Sequence, residues 1–170
     1  MIKTERLSRL ATLLENGTAE SMGLKFNLYN WSETGEKRGG FLWLKKTRCH
    51  TAACAIGMAC LSGEFDADNL EFELWGDTFI PLYAGNRGWS AVMEFFGLTD
   101  KQSFHLFSQK RYDGPTAGPQ AEKNVAKRIR AFIKSNSNSK PTKKAVDKIK
   151  REALSTARAA TATVTEQVKA

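Results

Sequence analysis

Aromatic side chains decide where this chain can build a core, and its last 50 residues are nearly empty of them. Of the 17 Phe, Trp and Tyr residues, 16 precede residue 121 and only Phe132 follows it. Each buried ring removes about 150–250 Å² from water, so the packed domain is expected before the aromatics run out. Charge divides at the same point. Residues 1–120 carry 13 Lys/Arg against 14 Asp/Glu, a balance of −1; residues 121–170 carry 13 against 4, a balance of +9. The sequence therefore predicts a globular α+β domain over 1–134, a flexible linker over 135–141 (SNSNSKP) and a basic, Ala-rich helix over 142–170. A hydrophobic fraction of 41% rules out wholesale disorder.

Periodicity places the elements. Leu7, Leu10, Ala11 and Leu14 make one stripe of a helix over 4–16, with Thr4 as its cap and Gly17 as its stop. KFNLYNW (25–31) suggests a short extended piece, SETGEKRGG (32–40) a turn, and FLWL (41–44) a buried run. TAACAIGMACL (51–61) reads as a buried helix capped by Thr51, whose small residues, Gly57 among them, let another backbone approach. LEFELW (70–75) alternates, Gly76 and Asp77 turn, and TFIPLY (78–83) returns, with Pro81 marking an edge or a bulge. Short helices follow over 89–96, ended by Gly97, and over 100–108, capped by Thr99 with Phe104 and Phe107 inward. YDGPTAGP (112–119) is a loop, and a helix over 121–134 carries Val125, Ile129, Phe132 and Ile133 on one side. The expected fold is a small antiparallel hairpin packed on several short helices, plus a long C-terminal helix.

No run approaches the ~18 uncharged apolar residues of a membrane span. The N-terminal segment, with Lys3, Glu5, Arg6 and Arg9, lacks the apolar core of a signal peptide. Three cysteines form no paired framework, so a cytoplasmic protein with reduced thiols is expected.

Cys49, His50, Cys54 and Cys60 cluster, but their spacing does not converge four donors on zinc, and no cofactor is expected. A cysteine nucleophile is the sharper reading: Cys54 in the first turn of a helix, or Cys49 just before it, would gain thiolate character from the amide dipoles, with His105 as base. The bland reading has the thiols inert among alanines. Glu64, Asp66 and Asp68 lack the glycine and donor spacing of a calcium loop and read as a solvated acidic loop. Residues 89–107 have the outline of a helix-turn-helix, yet the second helix offers Phe104, Leu106 and Phe107 where base-reading side chains belong; two core helices account for it better.

The basic C-terminal region is the strongest signal. Lys123, Lys127, Arg128, Arg130 and Lys134 lie on the helix over 121–134; Lys140, Lys143, Lys144, Lys148, Lys150 and Arg151 follow within 12 residues. Clustered cations displace counterions from a phosphate backbone. The absence of interleaved aromatics argues against stacking on single strands.

Several stretches together resemble a group of small proteins of bacteriophages and bacterial mobile elements. These are ERLSRLATLLE; Phe26 to Trp31; Cys49, Thr51, Cys54 and Gly57; Trp89 with Phe95, Phe96, Gly97 and Leu98; HLF at 105–107; and Ala126 to Ile133. The resemblance spans about residues 5–134 and implies a phage or mobile-element context, without a particular activity. The leading expectation is a non-enzymatic accessory protein whose basic C-terminal region binds nucleic acid or an acidic host protein. The alternatives are a cysteine-dependent enzyme using Cys49 or Cys54 with His105, and a structural component that forms homo-oligomers through the C-terminal helix.

Overall fold

Leucines spaced three and four apart do form the first helix. In the computed structural model, which describes residues 2–34, 50–76 and 78–137, α1 (Thr4–Glu15) buries Leu7, Leu10, Ala11, Leu13 and Leu14. Its cap is the Lys3 backbone rather than the predicted Thr4 side chain: Lys3 N–H donates to Phe96 O at 2.9 Å, tying the helix start to a distant element. Gly17, at φ +65°, makes the left-handed turn into α2 (Thr18–Ser21).

The segment 51–61 departs from its predicted all-helical form. His50–Ala53 is a strand, Cys54 is the N-cap and only Ala55–Leu61 is helical (α3). The strand is β3, the centre of a three-stranded sheet ordered β1-β3-β2. It runs parallel to β1 (Lys25–Phe26) and antiparallel to β2 (Ser32–Thr34). The predicted turn at 32–40 thus begins as a strand. Ala52 and Ala53 have little strand propensity; the backbone ladders on both sides recruit them. Gly57 meets the expectation of close approach, since a Cβ there would overlap the Trp31 carbonyl.

The hairpin follows its alternation. β4 (Glu71–Trp75) and β5 (Thr78–Tyr83) pair with Phe72 opposite Pro81 and Trp75 opposite Thr78. Phe72 and Phe79 are buried; Leu74, which the alternation sets on the same side as Leu70 and Phe72, is instead exposed with Trp75 at the turn end, beyond the reach of the core. A third strand, β6 (Asn86–Arg87), pairs with β5 and makes β5 central. Pro81 is tolerated there for a geometric reason. Its carbonyl accepts from Gly88 N at 2.8 Å, and the missing donor falls on that same side, opposite Gly88 and one residue beyond the end of β6, where the ladder has already ended.

α4 (Trp89–Phe96) ends at Gly97, φ +65°. α5 (Asp100–Phe107) starts with a full capping box between Thr99 and Gln102. Phe107 points inward as predicted, but Phe104 stays at the surface, stacked on Trp89 with centroids 4.5 Å apart. The last described helix, α6, runs from Gly118 to Ser137, overrunning the predicted 121–134 at both ends, so residues 135–137 of the predicted linker are helical. Pro119 suits its first turn, where a missing N–H costs nothing.

The described residues thus form an α+β fold with six helices and two small sheets. Phe65 anchors the core edge-on to Phe95 and Phe96. One compact unit covers Met1–Ile133; a second covers Lys134–Ala170, of which the described part is the last turn of α6. The helix expected over 142–170, the rest of the linker and the run 41–44 lie outside the described residues. Among those described, no helix is long and apolar enough to cross a membrane.

Candidate functional site

α6 is amphipathic, and its polar side carries the predicted cations. Ala121, Glu122, Val125, Ala126 and Ile129 are buried. Lys123 and Lys127 are exposed on the other side. At 100° per residue the helical register sets Lys123 and Lys127 within about 40° of one another; Lys134, in the second unit, is exposed as well. Among the described residues none of the three forms an ion pair.

The two arginines predicted to join them do internal work instead. Arg130 Nη2 meets Glu15 Oε2 at 2.7 Å and also donates to Thr12 Oγ1 at 2.8 Å, while Nη1 donates to Ser8 Oγ at 2.6 Å. That contact locks α6 to α1 and holds the Glu15 carboxyl below the usual range. Arg128 donates to the His105 carbonyl at 3.0 Å and lies over the Tyr112 ring at 3.7 Å. Lys123, Lys127 and Lys134 are thus the α6 cations left for an external anion. Lys140, Lys143, Lys144, Lys148, Lys150 and Arg151 lie outside the described residues.

The cysteine reading meets a physical obstacle. Cys54 does sit at a helix N-terminus, its Sγ accepting from Gly57 N at 3.5 Å. Burial outweighs the amide dipoles, however, and pushes the thiol up to about 11. The 230 Å³ pocket that Cys54 lines is walled by Trp31, Trp89, Phe104 and Phe107, not by His105, which is exposed on α5. Cys49 lies outside the described residues, as does the side chain of His50. Cys60 is buried, with Sγ donating to Glu71 O at 3.5 Å.

The acidic loop is not simply solvated. Arg6 and Arg9 of α1 both clamp Asp68, at 2.8 and 2.6 Å, and Arg9 reaches Glu64 at 2.8 Å. Arg6 also donates to Phe95 O and lies 4.3 Å over the Phe95 ring. The loop is a structural staple. In the segment 89–107, Ser103, Leu106 and Phe107 of the second helix are buried, which takes that face away from any groove.

Sequence reasoning missed Glu122. Its side chain is 2% exposed, and Oε1 accepts from the Ala19 backbone N–H at 3.2 Å, capping α2 from 103 residues away. The residue lines a cleft of about 840 Å³ whose floor is Ala19, Leu24, Phe26 and Ala52 and whose rim includes Glu20, Lys25, Pro119 and Lys123. Burial, with a smaller push from Glu20, raises the Glu122 carboxyl against the pull of the Ala19 N–H and Lys123. The signal was available: Glu122 stands three residues before Val125 and four before Ala126, on the apolar side of its helix.

A raised carboxyl in the folded state penalises folding once it ionises, and the penalty vanishes as pH falls below the unfolded value. Glu122→Gln keeps an acceptor for Ala19 N–H and removes the charge. Thermal melts are therefore expected to show the variant above wild type at pH 7, with the gap closing at about pH 4. A variant less stable than wild type at pH 7 would show the charge to be favourable. Comparison with protein-family models, curated proteins and solved structures finds no match for the chain.

Proposed function

We propose that the protein binds duplex nucleic acid through its phosphate backbone, without reading sequence, using the α6 lysines and the basic residues that follow them. The observation that carries this is the exposure of Lys123, Lys127 and Lys134, each free of ion pairs among the described residues, in a segment with a +9 balance. Lysine is a point charge that suits phosphate contacts. Base-edge reading favours bidentate arginine, and Arg128 and Arg130 are already committed within the fold. An acidic protein surface is a weaker match, because protein interfaces favour aromatics and arginine and are depleted in lysine; α6 presents exposed lysines and no exposed aromatic.

The test is fluorescence anisotropy of a labelled duplex with the full chain, competed separately by unrelated duplexes and by polyglutamate. Binding is expected at about 50 mM salt, with unrelated duplexes competing equally and polyglutamate much more weakly. No duplex binding at that salt, or equal competition by polyglutamate, would overturn the reading in favour of an acidic protein or no polyanion at all.

A further inference from the structure

We propose that the cleft beside α6 is a binding site for a small organic cation, an apolar body carrying one primary ammonium that pairs with Glu122. The proposal does not rest on the duplex-binding reading, although the two share Lys123 at the rim of the cleft. Its volume, about 840 Å³, falls within the range of small-molecule sites. Its floor is apolar and buried, from Leu24, Phe26 and Ala52. Into it opens one largely buried carboxyl: Oε1 is taken by Ala19 N–H, and Oε2, which accepts no hydrogen bond from the described residues, is not sealed from solvent, since no fully buried side-chain oxygen among them lacks a partner.

The charged groups around Glu122 sort by position. Lys25 of β1, with Lys123 of α6 itself, is exposed at the rim, where a long stem lets the ammonium stay in water. Glu20 of α2 is exposed and adds negative potential, while Glu15 of α1 is held by Arg130. The fixed, desolvated group at the base is therefore Glu122. A buried carboxylate gains most from a partner that brings a charge and a donor together. A neutral donor supplies half of that, and an anion none.

The simplest rival account makes Glu122 a cap for α2 and nothing more. The two are separated by titrating phenethylammonium, phenethyl alcohol and 3-phenylpropanoate into the full-length protein and following the Ala19 and Glu122 amide resonances. The ammonium is expected to shift both amides saturably in the millimolar range or below, with the alcohol and the carboxylate at least about tenfold weaker. Glu122→Gln, which retains the cap, is expected to weaken the ammonium at least about tenfold. Ala117→Trp, on the exposed rim, is expected to weaken it by obstruction with Glu122 intact. Equal binding of alcohol and ammonium, tighter binding of the carboxylate, wild-type affinity in Glu122→Gln, or no saturable shift with any probe would each overturn the proposal.

Discussion

Replacing Gly57 with alanine is expected to destabilise the protein by about 3 kcal/mol, lowering Tm by roughly 6–12 °C for a chain of this size. Helix propensity alone predicts the opposite sign, since alanine gains about 1 kcal/mol over glycine inside a helix. Packing decides against it. The added methyl would overlap the Trp31 carbonyl and would sit 3.0 Å from the Ala53 Cβ. A flexible side chain would rotate away, but a carbonyl moves only with its strand. Here the carbonyls of Asn30 and Trp31 also accept from the Cys54 N–H, at 3.1 and 3.4 Å. Relieving the clash therefore pulls β2 from the end of α3 and disturbs the β2–β3 ladder. A Tm equal to or above wild type would mean that the two backbones are not in contact.

Phe65→Ala is expected to cost about 3–5 kcal/mol. The ring is fully buried, edge-on to Phe95 at 5.4 Å and to Phe96 at 6.5 Å, with the Arg9 guanidinium 4.6 Å above it. Its loss leaves a cavity bounded by rigid rings and removes the surface against which Arg9 holds Asp68. Phe104→Ala is the control. That ring is 36% exposed and stacks on Trp89, so its removal should cost about 1.5 kcal/mol or less. Urea unfolding of both variants separates the cases, and equal midpoints would contradict the placement of Phe65 at the centre of the core.

The elements legible in the sequence are those stabilised by near neighbours. Alternation over 70–75 and 78–83, the Thr99 cap and the stop at Gly97 all act within a few residues, and each element stands within a residue of where the pattern set it. β1, β2 and β3 have two to four residues each and pair residues 16 to 27 positions apart, with Thr34 opposite His50 and Lys25 opposite Ala52. Nothing local marks such strands, and the alanines of β3 read as helix for that reason. The candidate site divides in the same way. Its lysines are visible as charge. That Arg128 and Arg130 are spent within the fold depends on Tyr112, His105 and Glu15, and only tertiary structure brings these into reach. Cys54 illustrates a local rule overruled: the sequence set it in a first turn begun at Thr51, the helix begins three residues later with Cys54 as its cap, and burial among alanines, the blander of the two readings, governs the thiol.

Backbone binding by lysine makes a quantitative demand on salt dependence. Each phosphate contact contributes about 0.9 to the slope of log affinity against log salt. The decisive measurement is that slope for duplex DNA, for the wild-type chain and for the combined Lys123→Ala, Lys127→Ala and Lys134→Ala variant. The slope is expected to be steep in wild type and shallower by roughly 2 to 3 in the variant. Identical slopes for the two proteins would contradict the assignment of the α6 lysines to a phosphate backbone.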